Sequence, residues 1–86
     1  MAWSIQWTAQ AEKDLSKLDH SVAARIVAKL EQTSSNPSHY FVRFVGGDEY
    51  KLRIGDYRLL AVLVHETQTI LVERVDHRSQ IYRRRP

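Results

Sequence analysis

The stretch KLRIGDYR, residues 51–58, constrains this chain more than any other, because it fixes a strand pair, its register and the character of both its faces. Gly55-Asp56 separates two runs of alternating apolar and polar residues, and glycine at the first of two loop positions selects a type II′ hairpin turn. That turn sets Ile54 opposite Tyr57 and Arg53 opposite Arg58. Residues two apart share a strand face at about 6.8 Å, so Lys51 joins the two arginines. Directly opposed side chains approach to roughly 5 Å, where like charges destabilise a sheet. Three cations converging against that cost point to an anion, with phosphate the first choice for guanidinium and ammonium donors. An isolated pair of cations on a strand reads first as a solvated surface, and the third cation brings the two readings level. The other hairpin face carries Leu52, Ile54, Tyr57 and Leu59 and belongs to a core. A one-residue slip would exchange the two faces.

A chain of 86 residues forms one domain, here residues 1–86, with a thin core that buries about 60–65% of its extended-chain surface. Its 43% hydrophobic and 27% charged residues are ordinary globular composition, which disfavours disorder, collagen-like repeats and coiled coils. Without cysteine, neither disulfides nor a thiolate zinc site can supplement that core. The longest apolar run, Leu59 to Val64, is too short to span a bilayer, and the N-terminus lacks a basic segment followed by an apolar one. The expectation is a cytoplasmic protein with no membrane contact. The net charge is +3, yet residues 77–86 hold Arg78, Arg83, Arg84 and Arg85 and no acid, which leaves −1 for the remainder. Such a cluster attracts nucleic acid or an acidic protein through a salt-sensitive field; it also fits a solubilising tail.

Trp3, Ile5 and Trp7 alternate with Ser4 and Gln6, predicting a first strand with one face in the core. Thr8 is placed to cap a short amphipathic helix with Ala11, Leu15 and Leu18 on its apolar side and Glu12, Lys13, Asp14 and Lys17 on the other. Asp19 or Ser21 starts a second helix, whose stripe Val22, Ile26 and Leu30 runs to about Thr33, giving an antiparallel pair. Between Ser38 and Gly47 the signals conflict. Tyr40, Val42 and Phe44 alternate like a strand, while Pro37 and Gly46-Gly47 suggest an extended loop. The hairpin follows over 49–54 and 57–65, then a last strand from Thr69 to Asp76 after the turn Glu66-Thr67-Gln68. Residues 78–85 form either a helical turn or a tail. The order β-α-α-β-β-β predicts an α+β domain with a helix pair on one face of a mostly antiparallel sheet. The other face, with Lys51, Arg53 and Arg58, is expected to stay open.

No Gly-rich phosphate loop, nucleophile elbow, zinc-binding helix motif or carboxylate cluster for magnesium is present, which disfavours metal-dependent nuclease chemistry. The remaining reactive set is the segment HRSQIY, with His77, Arg78 and Tyr82, which could close over the cationic face. Cations stabilise a pentacovalent phosphate as a ribose 2′-OH attacks it, an imidazole or carboxylate moves a proton, and tyrosine stacks on a base. Lysine and arginine are protonated near neutrality and stabilise charge more readily than they abstract protons. His77 is therefore the first candidate for proton transfer and Glu49 the second. A surface or capping histidine and a tail-anchoring tyrosine are the structural alternatives. His20, His39 and His65 read as structural or solvent-facing.

EYKLRIGDYRLL, residues 49–60, together with the terminal His77-Arg78-x-x-x-Tyr82, resembles the RelE/ParE toxin superfamily of prokaryotic toxin–antitoxin systems, and the element order fits that fold across essentially the whole chain. In the RelE-like branch the resemblance implies a metal-independent endoribonuclease without a cofactor that enters the ribosomal A site. There it cuts translated messenger RNA by 2′-OH attack and leaves a 2′,3′-cyclic phosphate. By position, Lys51 and Arg53 match the family's basic strand pair, Arg58 its arginine after Gly-Asp-Tyr, Arg78 its C-terminal arginine and Tyr82 its base-stacking tyrosine. Where many relatives have Tyr-Arg-Val-x-Tyr, this chain has Tyr57-Arg58-Leu59-Leu60-Ala61 and lacks the second tyrosine. The resemblance also implies a small antitoxin that wraps the domain, blocks the basic groove and assembles with it into a toxin–antitoxin heterotetramer. Leu60, Val62 and Val64, exposed on the cationic face, are the expected docking positions. The ParE branch shares the fold but inhibits DNA gyrase, and an inactive relative would only pair with its antitoxin.

Overall fold

The computed structural model describes residues 2–44 and 47–80. Strand β1 (Ser4–Trp7) leads into helices α1 (Ala9–Ser16), α2 (His20–Thr33) and the single turn α3 (Pro37–Tyr40). Strands β2 (Val42–Arg43), β3 (Glu49–Ile54), β4 (Tyr57–Val64) and β5 (Thr69–His77) follow. The five strands form one sheet in the order β1-β5-β4-β3-β2. β1 runs parallel to β5, and every other pairing is antiparallel.

The alternating apolar residues fold as expected. Ile5 and Trp7 turn towards the core while Ser4 and Gln6 stay exposed. Thr8 caps α1, its hydroxyl accepting from the Ala11 N–H at 3.1 Å. Asp19 occupies the N-cap of α2 with no side-chain cap bond. Ala11, Ile26, Leu30 and Phe41 pack against Leu52, Ile54, Leu59, Ala61, Leu63, Ile70, Val72 and Val75 as one core between helices and sheet. Burial of this apolar surface is the main stabilising term in a chain without cross-links.

The undecided stretch resolves into two short pieces. Pro37 stands in the first turn of α3, where its missing N–H is no loss. β2 then adds Val42 opposite Lys51 and Arg43 opposite Tyr50. The order is thus longer than the predicted β-α-α-β-β-β by α3 and β2.

Asp14 departs from the expectation of a solvent-facing residue. It is buried, and its Oδ2 accepts from Arg74 Nε at 2.9 Å and from the Val75 N–H at 3.0 Å. The reason lies in strand length. β1 stops opposite Val72, so the outer edge of β5 has no strand partner beyond that point. The Thr8 N–H donates to Val72 O and its hydroxyl to Glu73 O, and Asp14 receives the next N–H. These contacts satisfy the edge groups that a longer β1 would have paired.

Candidate functional site

The hairpin positions the first three cations. β3 and β4 pair with Ile54 opposite Tyr57, Arg53 opposite Arg58 and Lys51 opposite Leu60. Gly55 turns at φ +58°, and Gln68 is the only other described residue with positive φ. A single positive φ at the first loop position matches the type II′ turn rather than type I′. Leu52, Ile54 and Leu59 are buried with the helices, so Lys51, Arg53 and Arg58 take the opposite face. The Arg58 guanidinium is fastened to the turn, Nη1 donating to Gly55 O and Tyr57 O, each at 2.9 Å. Lys51 Nζ lies 5.7 Å from the centroid of the Phe44 ring, a cation–π distance.

Arg78 extends this set. Its N–H donates to Asp56 O at 2.8 Å, which carries the β4–β5 pairing past the hairpin turn, and its Nε stands 3.9 Å from Asp56 Oδ1. Tyr82 and the arginines at 83–85 lie outside the described residues.

His77 is not brought to the cations. It pairs with Tyr57 on the helix side of the sheet, the two rings meeting edge to face at 5.6 Å. Its Nδ1 lies 2.9 Å from Ser79 Oγ. The cause is a bulge: Leu60 pairs with Arg74 but Ala61 with Val72, leaving Glu73 as an extra residue. Counting by twos from Ile70 and Val72 would put His77 on the cationic face. The bulge inverts that parity, so Val75 and His77 face the helices, while Asp76 pairs with Arg58 among the cations.

Glu73, the extra residue itself, also stands on this face, as alternation from Val72 sets it. The Glu73 carboxyl is pushed above the usual carboxylate range, first by burial and then by the charge and hydrogen bond of Glu49. Glu49 shares the strand face of Lys51 and Arg53, so two coupled carboxyl groups border the cations.

Leu60 differs from its expected role as an exposed docking residue. It lies on this face but is 0% exposed, set between Lys51 and Arg74 on the neighbouring strands. Val62 and Val64 are half-buried. The strongly exposed large apolar side chain among the described residues is Val42, at 57%. With Tyr40, Lys51, Arg53 and Arg58 it lines a cleft of about 310 Å³. Neither Tyr40 nor Val42 was among the expected site residues, although the Tyr40-Val42-Phe44 alternation carried the signal.

The cleft thus offers three cations, one of them anchored to the turn, with an aromatic ring and an apolar side chain, suited to an anion attached to a planar apolar group. Among the described residues no group of three or more His, Asp or Glu side chains is arranged to hold a metal ion. None of the described helices is long and apolar enough to cross a membrane.

Comparison with known proteins agrees with this geometry. Toxin RelG of Mycobacterium tuberculosis is 33% identical over 88 residues, covering 98% of this chain and all of that protein. The RelBE2 toxin–antitoxin complex of M. tuberculosis contains a chain 29% identical, with a TM-score of 0.81 over 90% of this chain and 99% of that one. In the intact E. coli RelBE toxin–antitoxin complex the matching chain is 26% identical, with a TM-score of 0.74 over 88% of this chain and 96% of that one. The family of ParE toxins of type II toxin–antitoxin systems matches residues 5–82. Sequence, fold and family match together make this chain a toxin of the RelE/ParE superfamily of type II toxin–antitoxin systems.

Proposed function

We propose that this chain is a ribosome-dependent messenger RNA endoribonuclease held in check by an antitoxin. The observation that carries this reading is the cleft lined together by Lys51, Arg53 and Arg58, with Arg78 bonded to the adjoining hairpin turn. In the reaction a ribose 2′-oxygen attacks the adjacent phosphorus as its proton leaves. The bond from phosphorus to the 5′-oxygen breaks, that oxygen takes up a proton, and a 2′,3′-cyclic phosphate remains. The cations stabilise the negative charge that builds on the phosphoryl oxygens, the largest single contribution such a site can make. Arg58, already anchored to the turn, loses little freedom when it receives the phosphate. The coupled Glu49–Glu73 pair supports proton transfer better than His77, which faces the helices. Tyr82 remains the candidate for stacking on a base.

The antitoxin reading rests on the matched toxin–antitoxin complexes, and a heterotetramer of two toxins and two antitoxins is its natural assembly. Because Leu60 is buried, the better apolar dock is the groove between α1 and α2. It encloses about 490 Å³ and is lined by Trp7, Leu15, Leu18, Ala23 and Val27. Action on translating ribosomes places the protein in the cytoplasm.

The family match to ParE toxins favours one second reading, in which the same fold binds DNA gyrase without cutting RNA. Expression of the chain alone separates the two. Growth arrest with cleaved messenger RNA and no DNA damage response is expected. Arg58→Ala should lower cleavage by about 10²-fold or more while leaving the fold intact. Arrest with intact message and an induced damage response would transfer the reading to gyrase.

A further inference from the structure

The cleft beside the cations has an aromatic wall that the cleavage chemistry does not use. α3 ends at Tyr40, Phe41 is buried in the core, and Val42 pairs with Lys51. Tyr40 thus stands at the end of α3, two residues before the Val42–Lys51 pair. Tyr40 and Val42 then line one cleft with Lys51, Arg53 and Arg58. Tyr40 is half-buried and held from the helix side by Lys29, whose Nζ lies 5.2 Å from the ring centroid, and by the edge of the His39 ring at 5.1 Å.

Two features go beyond what packing requires. Val42 is left strongly exposed in a chain whose other described large apolar side chains are covered. A second aromatic ring, Phe44, stands against Lys51. A single-stranded nucleotide has matching chemistry, with an anionic phosphate and an apolar base plane joined through one sugar. Cations tracking the backbone with aromatic faces beside them are how proteins hold unpaired strands.

We infer that Tyr40, backed by Val42, forms a nucleobase-stacking wall for a nucleotide of single-stranded RNA whose phosphate is held by Lys51, Arg53 and Arg58. This inference rests on the RNA reading above and adds a second base contact, distinct from Tyr82, supplied by α3. Because every base has a π-face, the wall is expected to be sequence-tolerant at that position.

The test uses the full chain and a short, labelled 2′-O-methyl oligoribonucleotide, which cannot be cut because its nucleophile is blocked. Binding is followed by fluorescence anisotropy over a range of salt. Tyr40→Ala and Tyr40→Leu should weaken binding roughly 5- to 50-fold with the salt slope unchanged. Tyr40→Phe should remain within about twofold of the parent protein, because it keeps the ring. Arg53→Ala should instead lower the salt slope by about one. Tyr40→Leu preserves apolar packing against the core, so it decides the matter if Tyr40→Ala unfolds; melting curves report which case applies. Unchanged binding by Tyr40→Leu, or an equal loss in Tyr40→Phe, would overturn the wall. If the parent protein cuts translated messenger RNA while Tyr40→Leu binds and cuts as it does, the inference falls and the nuclease reading stands. If binding depends on Tyr40 but message stays intact, the wall stands and the nuclease reading falls. No binding by the parent protein at low salt overturns the wall, while the nuclease reading stands or falls on cleavage of translated message.

Discussion

Glu73 has the described carboxyl group most clearly displaced from ordinary behaviour, and its position explains why. Alternation from the buried Val72 sets it on the face of Glu49 and the cations, where burial and the neighbouring carboxyl both favour its protonated form. A carboxyl with a raised value in the folded state holds more protons there than in the unfolded chain. Stability therefore falls as pH rises from the ordinary value of 4.5 through the raised one. Below that interval both states are protonated and no penalty exists; above it the penalty is fully present. Glu73→Gln should accordingly raise unfolding stability at pH 7 and change it little near about pH 4, as read by urea denaturation at both values. An equal gain at both pH values would show that the carboxyl is not strained by its surroundings. The same substitution should reduce cleavage if the Glu49–Glu73 pair accepts the 2′-OH proton, which ties the acid's cost in stability to its use.

At the scale of elements, α1 does the work of the missing half of β1. Asp14 receives the Val75 N–H and the Arg74 guanidinium, with side-chain exposures of 6% for Asp14 and 13% for Arg74. Asp14→Ala removes the acceptor of both bonds in a dry setting and should cost about 3 kcal/mol in denaturant unfolding. A loss below about 0.5 kcal/mol would mean that water replaces the carboxylate freely. This contact also marks the limit of what the sequence made legible. The hairpin could be read because its alternation and its Gly55-Asp56 turn are local signals that agree. β1, α1 and α2 could be read for the same reason. α3 and β2 span four and two residues, shorter than either period needs in order to declare itself. Asp14 looked solvent-facing because its partners lie 60 and 61 residues away. His77 looked like a site residue because nothing local announces the bulge at Glu73, and one extra residue reverses every side chain beyond it. Leu60 looked exposed because alternation assigns a face but not what covers it.

At the scale of the whole molecule, the sheet separates two tasks. One face buries the apolar residues of all three helices and supplies the stability of a chain with no disulfide. The other holds like charges close together, with Arg53 opposite Arg58, an arrangement that costs stability unless an anion arrives. Gly55 concentrates that arrangement at one end by keeping the turn to two residues, and the Arg25 guanidinium of α2 lies close enough to meet a Cβ placed there at 3.4 Å. The superfamily fold leaves the target open, since one scaffold can host unrelated activities, and the cation-lined cleft is the site proposed for RNA. The most direct test is primer extension on a messenger RNA being translated in a purified system, comparing the parent protein with Arg53→Ala/Arg58→Ala. Cuts are expected at codon positions that require ribosomes, and they should disappear in the double variant while its melting temperature holds. Cuts that persist in the double variant would contradict the site, and an intact message with the parent protein would contradict the nuclease itself.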